Sequence, residues 1–200
     1  MKFVLGTVIA FAAAFAVSAA SAASPAFDCA KASHEIETLI CQNDELAAKD
    51  HRLADVFAKS LKAAEAFADS KAAISELKAV QRGWIGGRND CWKEDDKVAC
   101  TAQSYDMRIS ELQARFMLVK AEKPAFYRCD DKSEIVATFM ASDLPTVRLE
   151  RGDTTMIAWT TQSGSGSRYD GDFGLVFWIK GNEAQVEWPQ GTSFACRITG

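Results

Sequence analysis

The sequence predicts two domains of different class, a small disulfide-bonded helical array followed by an antiparallel β-barrel closed by a disulfide. Three observations lead to this prediction. From residue 27 to about residue 119, apolar residues recur every three or four positions, which is the period of an amphipathic helix. From residue 134 to residue 198 they alternate in short runs, which is the period of strands. Six cysteines complete the pattern, as in small exported domains.

The N-terminus, residues 1–22, has the composition of a signal peptide. Lys2 supplies a positive charge, residues 3–17 are apolar, and the Ala-Ser-Ala that ends at Ala22 suits cleavage near that residue. The apolar run is shorter than the roughly 20 residues that a transmembrane helix needs. No lipidation site follows, because Cys29 is preceded by Ala-Phe-Asp. We therefore expect an exported, periplasmic protein that is soluble and unanchored.

The helical domain is predicted over residues 23–120 and contains four helices. Asn43 is expected to be an N-cap, because the two acids after it place negative charge in the first turn. Gly86-Gly87 is expected to weaken or end the third helix. A short leading helix near residues 33–40 completes the array. The apolar stripes of the longer helices contain Leu53, Val56, Phe57, Leu61 and Ala64; Ile74, Leu77, Trp84 and Ile85; and Ala102, Tyr105, Ile109, Leu112 and Phe116.

A polar break at residues 121–124 is predicted to link this domain to a β domain over residues 125–200. Short strands separated by Asp, Gly and Pro turns favour an antiparallel sandwich or barrel. A first strand is expected around Cys129. The other predicted strands span residues 134–140, 146–150, 154–160, 175–179, 184–188 and 194–198.

An even number of cysteines in an oxidising compartment indicates three disulfides. A bridge between Cys129 and Cys196 would close 67 residues of sequence. It would stabilise the β domain by about 4 kcal/mol, because it limits the unfolded chain. A zinc site is not expected, since the sequence has no Cys-x-x-Cys pair and its only histidines are His34 and His51.

The pairing of Cys29, Cys41, Cys91 and Cys100 is left open by the sequence. If residues 29–41 formed one continuous helix, its ends would lie roughly 18 Å apart at about 1.5 Å per residue. Bridged Cα atoms lie within about 7 Å of each other. Either the first helix is short, or the first two cysteines pair with the last two.

Charge and motifs exclude several function classes. The formal charge of −4 becomes −5 without the signal peptide's lysine, and no basic patch suited to nucleic acid is present. No Gly-x-Ser-x-Gly elbow occurs, and no helix follows the Gly/Ser run to bind a phosphate. His34 and His51 are expected on solvated helix faces, and Asp95-Asp96 and Asp130-Asp131 in turns. We therefore expect neither an enzyme nor a bound cofactor or metal ion.

Two loops near the end of the chain carry the strongest candidate site. The run from Ser163 to Tyr169 is a Gly/Ser loop that ends in an aromatic residue. Lys180-Gly181 then turns one strand into the next. Taken alone, these residues predict a hairpin loop and a solvated lysine. If both loops lie at one end of a β structure, hydroxyl groups and an ammonium group come together there.

Ser-Gly-x-x-Tyr followed by Lys-Gly-x-x-Ala resembles the paired motifs of the periplasmic and membrane-bound bacterial inhibitors of c-type lysozyme, the MliC/PliC family. The resemblance covers residues 126–198 and implies that Ser165 and Lys180 insert into the lysozyme cleft. Because Ser163 also precedes a glycine, the contacting hydroxyl is that of Ser163 or Ser165. The loop over residues 169–175 is long for the family. The matching positions are Ser165, Gly166 and Tyr169 in the first motif and Lys180, Gly181 and Ala184 in the second. The resemblance implies that all of these except Ala184 bind lysozyme.

The helical region resembles a second family, the LprI-like domains, over residues 27–116. The specific part of the pattern is a run of Gln81, Trp84, Arg88 and Cys91, in which the intervening glycine pair is unusual. A core role for Trp84 and an ion pair between Arg88 and a helix-surface acid would explain the run without a direct function. The other matching positions are Asp28, Cys29, Cys41, Leu46, Asp50, Cys100, Tyr105, Arg108 and Ile109.

The two resemblances imply an exported inhibitor of c-type lysozyme that protects peptidoglycan from lysis and serves evasion of host defence. The expected partner is c-type lysozyme, with no nucleic acid and no membrane anchor, and a homodimer is left open. Two other classes remain. One is a cell-wall-glycan-binding module that stacks sugars on Trp159, Trp178 or Trp188. The other is a periplasmic helical scaffold protein with a structural β domain.

Overall fold

The computed structural model describes residues 23–189 and 191–199 and has helices followed by strands, as predicted. The predicted signal peptide lies outside the described residues. None of the helices in the described ranges combines the length and apolarity that crossing a membrane requires. The helices are α1 (Glu35–Gln42), α2 (Asp44–Ala64), α3 (Ser70–Asn89) and α4 (Lys97–Arg115), with 3-10 turns at Cys29–Lys31, Asp90–Lys93 and Asp172–Gly174. The strands are β1 (Ala125–Cys129), β2 (Glu134–Met140), β3 (Thr146–Arg151), β4 (Thr154–Thr161), β5 (Ser167–Gly171), β6 (Val176–Lys180), β7 (Glu183–Trp188) and β8 (Thr192–Ile198).

The long helices begin at side chains that accept free backbone N–H groups of the first turn. Asn43 caps α2, as predicted, and its Oδ1 accepts from the backbone nitrogen of Leu46 at 3.0 Å. Asp69 and Asp96 cap α3 and α4 in the same way. The polar residues between the apolar stripes therefore determine where each helix starts.

His34 caps α1, so the expectation that it lies on a solvated helix face is wrong. Its Nδ1 accepts from the backbone nitrogen of Ile36 at 3.1 Å. Glu37 completes a capping box by accepting from the backbone nitrogens of Ser33 and His34. The bond from Ser33, followed by the bond from His34, holds the pKa of Glu37 below its usual range, against the effect of burial. His51 is exposed on α2, as expected.

Helix α3 continues through Gly86 and Gly87 to Asn89, so the pair does not end the helix. A glycine in a helix interior costs about 1 kcal/mol relative to alanine. The contacts of the next residue offset that cost. Arg88 is 4% exposed, and its guanidinium donates to the Tyr105 hydroxyl and to the Asn89 side chain. The last turn of α3 is therefore held by a tertiary bond to Tyr105 and a local side-chain bond to Asn89 rather than by helix propensity.

The helical cysteines pair locally, as Cys29–Cys41 and Cys91–Cys100, with Cα separations of 5.9 and 5.7 Å. The short-first-helix alternative is therefore correct. The chain makes a 3-10 turn after Asp28 and starts α1 only at Glu35, which brings the two first cysteines together. The buried apolar core comprises Ile36, Ile40, Leu46, Leu53, Val56, Ala64, Leu77, Cys91, Tyr105, Ile109, Leu112 and Phe116.

The eight strands form a closed antiparallel barrel in chain order, in which β8 pairs with β1. Cys129 and Cys196 face each other in that last pairing and form a disulfide, as predicted. The bridge therefore fixes the seam at which the barrel closes. The buried core comprises Tyr127, Cys129, Ile135, Ala137, Val147, Leu149, Ala158, Leu175, Phe177, Ala184, Val186, Phe194 and Cys196.

Strand β5 is the element that the sequence pattern misses, since its residues are expected to form a loop. None of its five residues is fully buried, and it lacks apolar alternation. It is a strand because β4 and β6 pair with it on both sides. The long connection expected over residues 169–175 shrinks to a 3-10 turn, in which Phe173 has a φ of +59° and is 84% exposed.

Helix α4 packs on the outer face of the barrel near β3 and β4. The indole nitrogen of Trp159, on β4, donates to the backbone oxygen of Met107 at 3.0 Å. Ser110 accepts from the backbone nitrogen of Leu144 at 2.7 Å. Trp159 is 5% exposed, so it is not a platform for sugars, because the helical region covers it.

Asp143, in the β2–β3 loop, joins the two regions. Its carboxylate accepts two bonds from Arg52 of α2, both of 3.1 Å, and one of 2.8 Å from the Gln113 side chain of α4. The bond from Arg52 is the main cause that holds the pKa of Asp143 below its usual range. The segment predicted as a linker also contacts β2, since Ala121 forms a β-bridge with Met140. The division into domains at residues 121–124 stays a prediction.

Candidate functional site

The two motifs lie at the same end of the barrel. Strand β5 begins at Ser167, directly after the Gly/Ser loop, and β6 ends at Lys180, directly before its turn. Because β5 and β6 are antiparallel and Ser167 faces Ile179, the loop and the turn are neighbours in space. The hydroxyls of the first motif and the ammonium of the second therefore share one rim.

Gly166 holds the loop against the second motif. Its φ is +70°, a conformation that glycine adopts without steric cost. A Cβ at this position would lie 2.1 Å from the backbone oxygen of Ile179 and 3.1 Å from Cγ of Lys180. Only a glycine therefore allows this approach between the two loops.

The two candidate serines have different surroundings. The hydroxyl of Ser163 donates within the loop, to the backbone oxygens of Ser165 at 3.0 Å and Gly166 at 3.1 Å. Ser165 is exposed, and its hydroxyl has no hydrogen-bond partner among the described residues. Ser163 thus shapes the loop, and Ser165 is the hydroxyl that is free to meet a partner.

Lys180 stands on an aromatic support. Its Nζ lies 3.6 Å from the ring centroid of Trp178, a cation–π contact. The two side chains share a face because they are two positions apart on β6. The indole nitrogen of Trp178 donates to the backbone oxygen of Ser165 at 2.9 Å. One indole ring therefore fixes the loop of the first motif and carries the cation of the second.

The charge of Lys180 is not neutralised within the described part of the chain, where no carboxylate lies within 4.0 Å of its ammonium. Glu183 faces it across the β6–β7 turn but binds Arg197 instead, at 2.5 Å. The turn itself depends on Gly181, whose φ is +61°. Lys180 is exposed and presents a full positive charge at the rim.

Tyr169 and Ala184 have positions in the barrel rather than at the rim. Tyr169 packs on the barrel core, with its ring centroid 5.7 Å from that of Phe139. Burial, and then the charge of Glu122, raises the pKa of Tyr169. Ala184 is 1% exposed beside Cys196. These two motif residues support the strands on which the loops are mounted.

The helical motif forms a buried network. The guanidinium of Arg88 donates to the Tyr105 hydroxyl at 2.9 Å, and that hydroxyl donates to Asp50 at 2.8 Å. Trp84 packs edge-on against Tyr105, with centroids 5.2 Å apart. Burial raises the pKa of Tyr105, so its hydroxyl remains protonated. The core interpretation of Trp84 and Arg88 agrees with these contacts, and Gln81 accepts a bond from another arginine of the motif, Arg108.

Comparisons with known families match both regions. Residues 127–194 match the family model described as membrane-bound lysozyme-inhibitor of c-type lysozyme, MliC. Residues 29–112 match the family model described as lysozyme inhibitor LprI. Both resemblances are confirmed. The first match lies in the barrel and the second in the helical region, and both matched families are inhibitors rather than enzymes.

Some similar proteins match nearly the whole length of the chain. Proteins named lipoprotein LprI from Mycobacterium bovis and from two strains of Mycobacterium tuberculosis are 27% identical over 202 residues, covering 98% of this chain and 98% of theirs. A crystal structure of Pseudomonas aeruginosa MliC in complex with hen egg white lysozyme is 20% identical, with a TM-score of 0.35. That match covers 40% of this chain and 86% of the other.

Trp178 is the residue of the site whose role sequence reasoning misses. The sequence suggests it only as a possible sugar platform, whereas it supports Lys180 and binds the Gly/Ser loop. Its spacing of two from Lys180 within a strand is a signal that could have indicated the contact. No cluster of three or more metal-ligating side chains exists within residues 23–189 and 191–199.

Proposed function

We propose that this chain is an exported inhibitor of c-type lysozyme that inserts Lys180 and Ser165 into the active-site cleft of the enzyme. The observation that carries the proposal is the un-neutralised ammonium of Lys180, which lies 3.6 Å from the ring of Trp178, the residue that also binds the backbone of Ser165. The inhibitor families that match both regions support the same function.

The chemistry of the target explains why a lysine would inhibit it. Lysozyme uses a protonated glutamic acid as general acid and an ionised aspartate, on carboxyl groups about 5–5.5 Å apart. An ammonium group between them pairs with the aspartate and lowers the pKa of the glutamic acid, so the general acid loses its proton. The hydroxyl of Ser165 donates to either carboxylate. The loops also occupy the space of the glycan.

The rim is suited to this task because it is organised before binding. Trp178 restricts the side chain of Lys180 and holds the Ser165 backbone. Fewer rotamers are then lost when the complex forms, which favours affinity. The formal charge of −4 attracts a basic enzyme at long range and raises the association rate.

The cysteines support the proposed export. All six are disulfide-bonded, as suits an oxidising compartment. We propose a periplasmic location on these grounds.

A glycan-binding module has less support. Trp159 is buried under α4, and Trp178 lies beneath Lys180. The third candidate, Trp188, has the guanidinium of Arg151 over its ring at 5.3 Å. Sugar stacking requires an indole ring that is exposed and that no cation covers. None of the three tryptophans meets both requirements.

The test compares Lys180→Met with Ser165→Ala in calorimetric binding to c-type lysozyme and in a turbidity assay of cell-wall lysis. Lys180→Met keeps the apolar stem and removes the charge. Loss of one partner of a buried charge pair costs about 2–5 kcal/mol, against about 0.5–1.5 kcal/mol for an ordinary hydrogen bond. We expect the lysine variant to be the weaker inhibitor, chiefly through faster dissociation.

Lys78→Met, at an exposed position on α3, is the matched control and should inhibit like the wild type. Ser163→Ala should act indirectly, by loosening the loop that its hydroxyl braces. If Lys180→Met binds lysozyme as tightly as the wild type, charge insertion is wrong and simple blockage of the cleft remains. If the wild type leaves lysis unchanged, the proposed function itself is wrong.

A further inference from the structure

A cleft of about 280 Å³ lies between α3, α4 and the outer face of β3 and β4, away from the rim that carries Lys180. One wall is apolar and partly open to solvent. Phe67 is 49% exposed and Val80 is 46% exposed, and Phe67 stacks on Phe116 with ring centroids 5.8 Å apart. The cleft therefore offers a solvent-accessible apolar surface of the size of a small ligand.

The floor of the cleft contains Arg108, which is only 3% exposed. Its Nε donates to Gln81 at 3.0 Å and its Nη1 to Glu111 at 2.7 Å. Its Nη2 is buried and has no hydrogen-bond partner within the described ranges. A buried, charged donor without an acceptor is unfavourable, because it has lost its water without replacement.

A second unused donor comes from the barrel. Arg148 of β3 lines the same cleft, and its Nε is also buried without a partner in the part of the chain that the structure describes. Its Nη1 forms an ion pair with Glu150. At the mouth, Arg115 has a side chain that is 41% exposed and contacts Glu111 at 3.3 Å. Three arginines from two regions thus line one cleft.

We propose that this cleft binds a small amphiphilic carboxylate, with the carboxylate at Arg108 and Arg148 and the apolar part against Phe67 and Val80. A carboxylate accepts from several guanidinium N–H groups, and it would give the enclosed Nη2 of Arg108 and Nε of Arg148 an acceptor once a side-chain rotation turned them toward the cleft. The volume of about 280 Å³ lies just below the usual range for ligand pockets, about 300–1,000 Å³, so the ligand has the size of octanoate rather than of a long-chain lipid.

The acids of the cleft do not favour a cation instead. Glu111 already binds both Arg108 and Arg115. Glu76, the other acid that lines the cleft, is exposed on α3. An ammonium ligand would therefore meet one carboxylate that is already paired, Glu111, and one that is solvated, Glu76, and it would leave the buried arginine donors without an acceptor. The geometry of the cleft therefore favours an anionic ligand, and calorimetry with ligands of opposite charge measures that preference.

The test is calorimetry of the full chain with octanoate, well below its micelle concentration, beside octanol and octylammonium. We expect one octanoate per chain and binding at least about tenfold weaker for octanol, as for the loss of a charge-assisted hydrogen bond. An apolar tripeptide with a free C-terminal carboxylate, and its amide, separates a peptide source of the carboxylate from a free acid. If the free-acid tripeptide binds more tightly than octanoate, the site is one for the C-terminal carboxylates of peptides.

Two variants on different walls test the location. Arg148→Met keeps the side-chain stem and removes the unused donor, and Val80→Glu places a negative charge at the mouth. Each should weaken octanoate binding by about tenfold or more. Arg82→Met and Val98→Glu are matched controls, because both residues are exposed on helices outside the cleft lining, and they should bind normally.

The proposal is overturned if the wild type binds no octanoate and no free-acid tripeptide, if octanol or octylammonium binds equally well, or if Val80→Glu binds like the wild type. Inhibition of lysozyme by Arg148→Met, measured in parallel, should equal that of the wild type, because Lys180 lies elsewhere. The two functions are therefore tested separately.

Discussion

Both regions of this chain place a cation over a tryptophan, with opposite results. In the helical region, Arg88 lies 5.5 Å from the Trp84 ring, is 4% exposed, and has its donors satisfied by Tyr105 and Asn89. In the barrel, Lys180 lies 3.6 Å from the Trp178 ring, is exposed, and pairs with no described carboxylate. The first contact stabilises a core, and the second leaves its charge available to a partner. Burial and satisfied hydrogen bonds, rather than residue type, separate a cation that stabilises the core from one whose charge is free to bind a partner.

The disulfides of the two regions also differ, in the length of sequence that each one closes. The helical bridges span 12 and 9 residues of sequence, whereas the barrel bridge spans 67. A short loop is already constrained in the unfolded chain, so its bridge removes less entropy. The barrel therefore depends on one long-range disulfide, and the helical region on two local ones.

The largest expected effect is the loss of the barrel bridge. Replacing Cys129 and Cys196 by alanine should lower the free energy of unfolding by about 4 kcal/mol, against about 2.5–3 kcal/mol for Cys91 and Cys100. Urea unfolding, followed by tryptophan fluorescence and by far-ultraviolet circular dichroism, measures both. Equal losses for the two double variants would remove the proposed difference between the regions.

Gly166→Ala should have the next largest effect, because the added Cβ meets the backbone oxygen of Ile179 and the φ of +70° disfavours a side chain. We expect a loss of about 2–3 kcal/mol, or a displaced loop, together with weaker inhibition of lysozyme. Gly164→Ala is the control within the same loop, since nothing lies within 4 Å of its Cβ position. The idea that the two motifs depend on close contact fails if both variants inhibit like the wild type.

Asp143→Ala tests how firmly the two regions are joined. The change removes the acceptor of the bonds from Arg52 and Gln113, and we expect a loss of about 1–2 kcal/mol, moderated by solvent at this partly exposed site. Asp153→Ala, in the exposed β3–β4 turn, is the control. A variant whose helices and barrel unfold in separate transitions would indicate that this junction couples them.

Asp143 also predicts how the stability of the fold depends on pH. The folded-state pKa of Asp143 is below its ordinary value of 3.8, so the folded state favours the ionised form. Its contribution is complete above about pH 4 and disappears as the pH falls through the folded pKa. The difference in stability between wild type and Asp143→Ala should therefore shrink in acid. A difference that grows as the pH falls below 4 would contradict this.

The smallest expected effect is a gain in stability. Gly87→Ala lies in the interior of α3 with nothing within 4 Å of the new Cβ, and we expect stabilisation by about 0.5–1 kcal/mol. Thermal unfolding measures it. Destabilisation would mean that the glycine has a packing role near Arg88 that its open surroundings do not reveal.

Local chemistry made much of the fold predictable. Helical periodicity, the cap at Asn43, the strand alternation and the bridge between Cys129 and Cys196 are all properties of short segments or of simple chain closure. The motif residues Ser165 and Lys180 were also recognisable, because a Gly/Ser loop and a Lys-Gly turn have distinctive composition. Their role as the contact with lysozyme stays a proposal.

The sequence by itself determined the order of helices and strands, the three disulfides as a set and the two loops. Only the tertiary structure decided that β5 is a strand, that α3 passes through its glycines, that Trp159 is buried and that Trp178 supports Lys180. The first three depend on residues that are distant in sequence or on an adjacent strand, and the contact of Trp178 with Lys180 depends on both side chains lying on one face of β6. A backbone segment with weak local preference adopts the conformation that its partners satisfy, and a side chain's exposure depends on what packs over it.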